Sequence, residues 1–157
     1  MGESNGFKVI SGGQTGVDRA ALDAAMELGL EVGGFCPKGR KADDGRIADV
    51  YPLIELASAN YLLRTEKNVV EADGTLILAM KRPLSGGTEK TRALVQTHSK
   101  PGKVIELEKA DDAAVGRVQT WLREKRIRVL NVAGPRESGS PGIYDKSRRF
   151  LLKVFAR

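Results

Sequence analysis

The chain has 157 residues, of which 41% are hydrophobic and 29% charged, the proportions of an ordinary folded domain rather than a disordered or fibrous chain. At that length a core can bury roughly 70% of the surface exposed on unfolding, and one cysteine, Cys36, with one histidine, His98, excludes both an internal disulfide and a Cys/His metal cage. Lys plus Arg exceed Asp plus Glu by 26 to 20, a net charge of +6 that favours anionic partners, a small phosphate ligand or a nucleic acid.

No run reaches the roughly 18 apolar residues of a bilayer span, and residues 1–6 have neither the cationic start nor the apolar stretch of a signal peptide. The expectation is a cytoplasmic protein with no membrane contact. Residues 1–157 read as a single domain, with 1–6 as a flexible N-terminal tail.

Apolar runs rich in Val and Ile alternate with segments of 3.6-residue periodicity, predicting the order β-α-β-α-β-α-β-α-β-α. Strands are expected at Phe7–Ser11, Glu31–Phe35, Gly74–Met80, Lys103–Glu106 and Ile127–Ala133, with a short extended piece at Pro52–Leu56. Helices are expected at Val17–Leu28, Asn60–Ala72, Thr88–His98, Asp111–Lys125 and Ile143–Val154. The run TLILAM is apolar at nearly every position, as a strand covered on both faces must be. The fold class is therefore α/β, a three-layer sandwich on a mainly parallel, doubly wound sheet of about five to seven strands with helices on both faces.

In such a sheet ligands settle at the carboxyl ends of the strands. Four of the five loops expected there, SGGQTGVD, CPKGRKADDGR, KRPLSGGTEKT and NVAGPRESGSPGIY, combine glycine with polar or cationic residues. The opposite connections, such as ELGLE and EADGT, are plain.

The SGGQTG turn can be laid on the dinucleotide fingerprint with Ser11, Gly13 and Gly16 in the three glycine places. Bare backbone at a helix start offers N–H groups and a helix dipole to an anion, which makes Gly12 and Gly13 phosphate-contact candidates. Gly13→Val is thus expected to block ligand while leaving the fold intact. Thr15 and Asp18 also have capping-box spacing. Cations at Lys38 and Arg40, where NAD binding wants an acid, argue for a second anion contact, and no Gly-Lys-Ser/Thr follows the turn as a Walker loop requires.

A second glycine pair, Gly86 and Gly87 after Ser85, precedes a helix with Thr88 placed as its cap, downstream of Lys81 and Arg82. Arg64, Thr65 and Asn68 share a helix face that either reaches the same cleft or is solvated. The last loop offers Asn131, bare Gly134 and Arg136 beside Glu137, while Tyr144, Trp121 and His98 are expected to pack.

Together the first turn, CPKGR, YLLRTEKNV, DGTLILA, GGT and LNVAGPRES…PGIY resemble the molybdenum-cofactor carrier protein family. It sits within the Rossmann-like superfamily often called SLOG and is related to lysine-decarboxylase-like nucleotide-binding proteins. The likeness runs from Lys8 to about Leu152. It implies a Rossmann-like fold, a homo-oligomer (dimer or tetramer), and binding of molybdenum cofactor (molybdopterin) or a nucleotide at the strand C-terminal edge. The metal would be held by the pterin's own dithiolene sulfurs, without a direct protein site, and molybdoenzyme or cofactor-synthesis partners are implied.

The positions matching the family's motifs are Gly12, Gly13, Gln14, Thr15, Lys38, Arg40, Gly86, Gly87, Thr88, Gly134, Pro135 and Arg136. Two relatives define competing functions. Nucleotide phosphoribohydrolases carry G-G-x-G-T-x-x-E; GGTEKT departs from it, leaving Glu89 or Asp18 as the carboxylates for N-glycosidic hydrolysis. DNA-processing relatives share S-G-x-x-x-G-[VI]-D, but aromatics are only 5% and none interleaves with the basic loops as a single-strand binder requires.

Overall fold

The computed structural model describes residues 6–156, so most of the expected tail, residues 1–5, lies outside the described residues. In chain order the elements are β1 (Lys8–Ile10), α1 (Val17–Glu27), β2 (Glu31–Gly33), β3 (Phe35–Cys36), β4 (Lys41–Ala42), β5 (Gly45–Arg46), β6 (Ile54–Glu55) and α2 (Tyr61–Glu71). There follow β7 (Gly74–Ala79), α3 (Gly86–Thr97), β8 (Gly102–Glu106), α4 (Asp112–Glu124), β9 (Val129–Ala133) and α5 (Ile143–Phe155).

The central sheet has five parallel strands in the order β2-β1-β9-β7-β8, which bears out the α/β, helix-flanked reading. All six residues of β7 are buried, the consequence of cover on both faces. On one face Val9, Leu76, Leu78, Leu130 and Val132 pack with Val17 and Ala21 of α1, Val118 of α4 and Leu151 of α5. Period-two alternation assigns Ile10, Ile77 and Asn131 to the other face, where α2 and α3 pack against each other and bury Val69 and Val95.

The expected strand Glu31–Phe35 is broken in two. Gly34 has φ +129°, and a Cβ there would stand 2.1 Å from Ser11 O, so the chain swings away from the main sheet at this close approach. Beyond it β3 pairs in parallel with β6, within the extended piece expected at Pro52–Leu56. The excursion between them closes a small second core of Cys36, Ala42, Ile47 and Leu53 on Leu22 of α1. It also contains an unforeseen hairpin, β4–β5, turned by Asp43 and Asp44 ahead of Gly45 at φ +110°. Helix α3 begins at Gly86, two residues before the expected start at Thr88.

Candidate functional site

Strand β1 leads through α1 to β2 on one side of the sheet, and β7 leads through α3 to β8 on the other. The order reverses where β9 meets β7, and a crevice opens at such a switch point. A cleft of about 620 Å³ lies there, within the size range of small-molecule sites. Both glycine turns reach it: Gly12 and Gln14 from the first, Gly87 and Thr88 from α3, together with Gly134, Pro135 and Arg136 after β9.

The first turn is closed by its own neighbours. Gly13 N donates to Ser11 Oγ at 3.3 Å, Gln14 N to Asp18 Oδ2 at 3.4 Å, Thr15 N to its neighbour's Gln14 Oε1 at 2.9 Å and Val17 N to Pro135 O at 3.2 Å. Its glycines are there for close packing. A Cβ on Gly12 would lie 2.0 Å from Arg64 Nη1, one on Gly13 2.6 Å from Leu53 Cδ1, and one on Gly16 2.4 Å from Pro135 O. Gly13, at φ +78°, faces the small second core, so Gly13→Val would disrupt the fold rather than spare it. The capping box does not form either. The helix starts after Gly16, Thr15 Oγ1 accepts from Glu137 N at 3.2 Å, and Asp18 turns to Arg64 Nη1 at 2.9 Å.

That pair is the centre of the cleft wall. Burial is the largest influence on the Asp18 carboxyl and raises it above its ordinary 3.8, against the lowering by Arg64 and the Gln14 N–H. Arg64 Nε and Gln14 Nε2 are both buried without a hydrogen-bond partner, and both residues line the cleft. Buried polar groups are almost always satisfied, which sets these two donors apart from their neighbours.

The second turn is open. Gly86 and Gly87 are exposed, a Cβ on either would meet nothing within 4 Å, and Ser85, the N-cap residue, makes no side-chain capping bond. The first N–H groups of a helix have no intrahelical acceptor, so α3 presents donors and the positive end of its dipole. Thr88 is buried beside them, with Lys90 also on the cleft wall.

A cationic rim surrounds Tyr61, which was not singled out from the sequence. Lys41 Nζ lies 4.8 Å from its ring centroid, Arg64 Cζ 5.3 Å and Arg136 Cζ 5.5 Å, all within cation–π range. Arg136 is also held by Asp43 Oδ1 at 2.7 Å. The readable signal was an aromatic directly after Asn60, whose Oδ1 caps α2 by accepting from Leu62 N at 2.7 Å.

Other expected residues have structural partners, some while lining the cleft and some away from it. Arg40 is buried and donates to the carbonyls of Ile47, Leu53, Ala48 and Tyr51 at 2.8–3.3 Å, so it holds the excursion together and does not line the cleft. Lys38 is exposed and outside the lining, and Gly86 stands just beyond it. Gly134 is a packing glycine whose Cβ would lie 2.2 Å from Leu78 O. Asn68 lines the cleft with Arg64 and Thr65, so that helix face does reach it, and it also clamps Phe35, accepting from its N and donating to its O at 3.0 Å each. Glu89 faces Arg92 Nε at 2.8 Å, which holds its carboxyl below the usual range, and it is not part of the cleft wall. Glu137 caps α5 through Gly142 N at 2.7 Å and Tyr144 N at 3.0 Å. Tyr144 packs with its hydroxyl on Asp23, His98 pairs with Glu66 at 2.9 Å, and Trp121 is buried.

Among curated proteins no match to the chain is found. Among solved structures it is similar to a protein provisionally named molybdenum carrier protein, from Syntrophus aciditrophicus SB. The two share 42% identity at a TM-score of 0.91, over 96% of this chain and 94% of that one. Residues 9–155 match the family described as circularly permutated YpsA SLOG. The topology explains the description: counting β9 first turns β2-β1-β9-β7-β8 into the doubly wound order 3-2-1-4-5. The rings of Phe7 and Phe155 meet at 6.0 Å, so the two ends of the described chain lie where a permuted connection would join them. On that match and that strand order, the chain belongs to the circularly permutated YpsA SLOG family.

Proposed function

We propose that this protein binds and carries a phosphorylated nucleotide-like small molecule in the cleft, with molybdenum cofactor, a pterin phosphate, as the best-supported ligand. The observation that carries the reading is one cavity lined by Gln14 and Arg64, each with a buried donor lacking a protein partner, and by the open start of α3. Such a donor set fits phosphate and heterocycle acceptors, with Arg136 and Lys90 supplying charge at the wall. The name of the Syntrophus relative points the same way. Among the described residues no cluster of three or more His, Cys, Asp or Glu could hold a metal. A cofactor whose molybdenum is bound by its own sulfurs asks for none.

Binding draws more support than N-glycosidic hydrolysis, since Asp18 is engaged by Arg64 and Glu89 by Arg92. Binding of single-stranded DNA draws less, since the aromatic ring at the cleft, Tyr61, is already approached by three cations. A homo-oligomer, a cytoplasmic location and a single domain belong to the same proposal, the first measurable by sedimentation. No helix among the described residues is long and apolar enough to cross a membrane.

The deciding experiment is mass spectrometry of small molecules released from protein purified with oxygen excluded. A pterin phosphate or nucleotide near one per chain is expected. Recovery of only phosphate-free compounds, with no saturable binding of added mononucleotides, would remove the proposal.

A further inference from the structure

Asp43, at the tip of the β4–β5 hairpin, belongs to neither glycine turn, yet it is held on three sides. Its N–H donates to Gln14 Oε1 at 2.8 Å, its Oδ1 accepts from Arg136 Nη1 at 2.7 Å and its Oδ2 from Ser138 Oγ at 3.1 Å. Beside it Asp44 takes Arg19 on both oxygens, at 3.0 and 3.2 Å, so the tip is pinned to α1 as well. Gln14 and Arg136 both line the cleft, and the hairpin thus ties the first turn to the loop after β9.

Arg136 gives the protein one side-chain nitrogen. Among the described residues no acceptor meets its Nε or Nη2, and the side chain is 44% exposed on the cleft wall. Those two nitrogens form one edge of the guanidinium, the planar fork that takes two oxygens of a phosphate. The neighbouring charges suit an anion there. Arg136, Arg64 and Lys41 all stand within 5.5 Å of the Tyr61 ring centroid. Arg64 pairs with Asp18 and Arg136 with Asp43, whereas Lys41 has no carboxylate partner among the described residues.

We propose that Asp43 is a positioning residue for ligand binding: it holds Arg136 by Nη1 so that the Nε–Nη2 edge receives a phosphate of the ligand. The inference rests on the cleft being the site of a phosphorylated ligand, and it names a residue that acts through another. A carboxylate facing a phosphate directly would repel it. Bridged through the guanidinium, it fixes the fork beforehand and so reduces the side-chain ordering that binding would otherwise cost. Charge and position therefore predict opposite signs for the loss of Asp43: removing a negative charge would strengthen phosphate binding, and releasing Arg136 would weaken it.

The test is equilibrium binding of GMP and guanosine, and of neopterin monophosphate and neopterin, with circular dichroism to confirm folding. Within each pair the ratio of affinities isolates the share of the phosphate. Wild type is expected to prefer the phosphate ester at least about tenfold, and Arg136→Lys, which keeps the charge but not the fork, to lose most of that factor. Asp43→Ala should lower the preference about fivefold, and lower it no further in the Arg136→Lys background, the non-additivity of two residues that act through one contact. Asp43→Asn should stay near wild type, because its amide oxygen still accepts from Arg136 and its amide nitrogen can donate to Ser138 Oγ. The backbone bond to Gln14 and the Asp44–Arg19 pair persist in every variant and keep the hairpin in place. Four results would overturn the role of Asp43 and leave the cleft reading standing: no preference for the phosphate ester in wild type, an unchanged preference in Arg136→Lys, a preference in Asp43→Ala at or above wild type, or one in Asp43→Asn as low as in Asp43→Ala. A further fall on adding Asp43→Ala to Arg136→Lys would do the same. Failure of wild type to bind either phosphate ester would overturn the phosphorylated-ligand reading, and this role with it.

Discussion

Two stretches of this chain look alike in sequence, Ser11-Gly12-Gly13 before α1 and Ser85-Gly86-Gly87 before α3, and they do opposite things. In the first, the glycines are buried, the Gly13 and Gln14 amides are paired within the turn, and a Cβ would strike Arg64, Leu53 or, at Gly16, the Pro135 carbonyl. In the second, the glycines are exposed and nothing stands within 4 Å of a Cβ. A glycine pair at a helix start therefore has two readings. It can clear room for protein or for a ligand, and only the atoms opposite it decide.

The sharpest way to break the comparison is to add the same methyl group to each turn. Gly16→Ala forces a side chain onto φ +81° and 2.4 Å from a carbonyl oxygen, and should lower stability by about 4 kcal/mol in urea unfolding. A loss under about 1 kcal/mol would show that the first turn is looser than its contacts suggest. Next in size is Arg64→Met, which strands a buried carboxylate and should cost about 3 kcal/mol at neutral pH. Asp18 already titrates above its ordinary value because it is buried, and losing Arg64 raises it further. The folded variant then binds a proton that the unfolded chain releases near 3.8, so its deficit should narrow as pH falls toward 4. A deficit of constant size would mean that Arg64 matters for packing and not for charge.

Much of the frame was legible because it follows from local rules. The fully apolar TLILA could only be a strand covered on both faces, and the helical stripes placed all five long helices to within two residues at either end. The partners of the first turn were not legible, since Arg64 and Pro135 lie about 50 and 120 residues away along the chain. For the same reason Lys38, Arg40 and Lys41 were indistinguishable cations in one loop. The fold sends Arg40 inward onto four carbonyls, Lys38 to solvent and Lys41 over Tyr61. The orientation of the Gln14 amide could not be read from its motif position, because it is fixed only when the β4–β5 hairpin brings Asp43 N to its oxygen.

Gly87→Ala is the counterpart at the open turn. It should change stability by less than about 1 kcal/mol, in the favourable direction, because alanine suits a helix and the space is empty. The added methyl group sits on the cleft wall, so GMP binding should weaken about tenfold, the loss of one charge-assisted contact. Unchanged affinity would move the phosphate away from α3.

The smallest expected effect tests what braces the closed turn from behind. Asp23 of α1 accepts from the hydroxyls of Tyr51, at 2.6 Å, and of Tyr144, tying the excursion and α5 to the same helix whose first turn is sealed. Arg19 adds to the brace, donating to Gly13 O at 3.0 Å with its guanidinium 5.5 Å from the Tyr51 ring. Burial first, then the hydrogen bond to Asp23, pushes Tyr51 up to about 12, and Tyr144 rises for the same reasons. The folded chain thus keeps phenolic protons that the unfolded chain releases near 10, so stability should fall as pH rises from 10 through about 12. Each Tyr→Phe replacement should cost about 1 kcal/mol at neutral pH, and the double variant should flatten the alkaline decline. If the double variant declined as steeply as wild type, the brace would lie elsewhere, and the sealing of the first turn would have to rest on Arg64 and Pro135 alone.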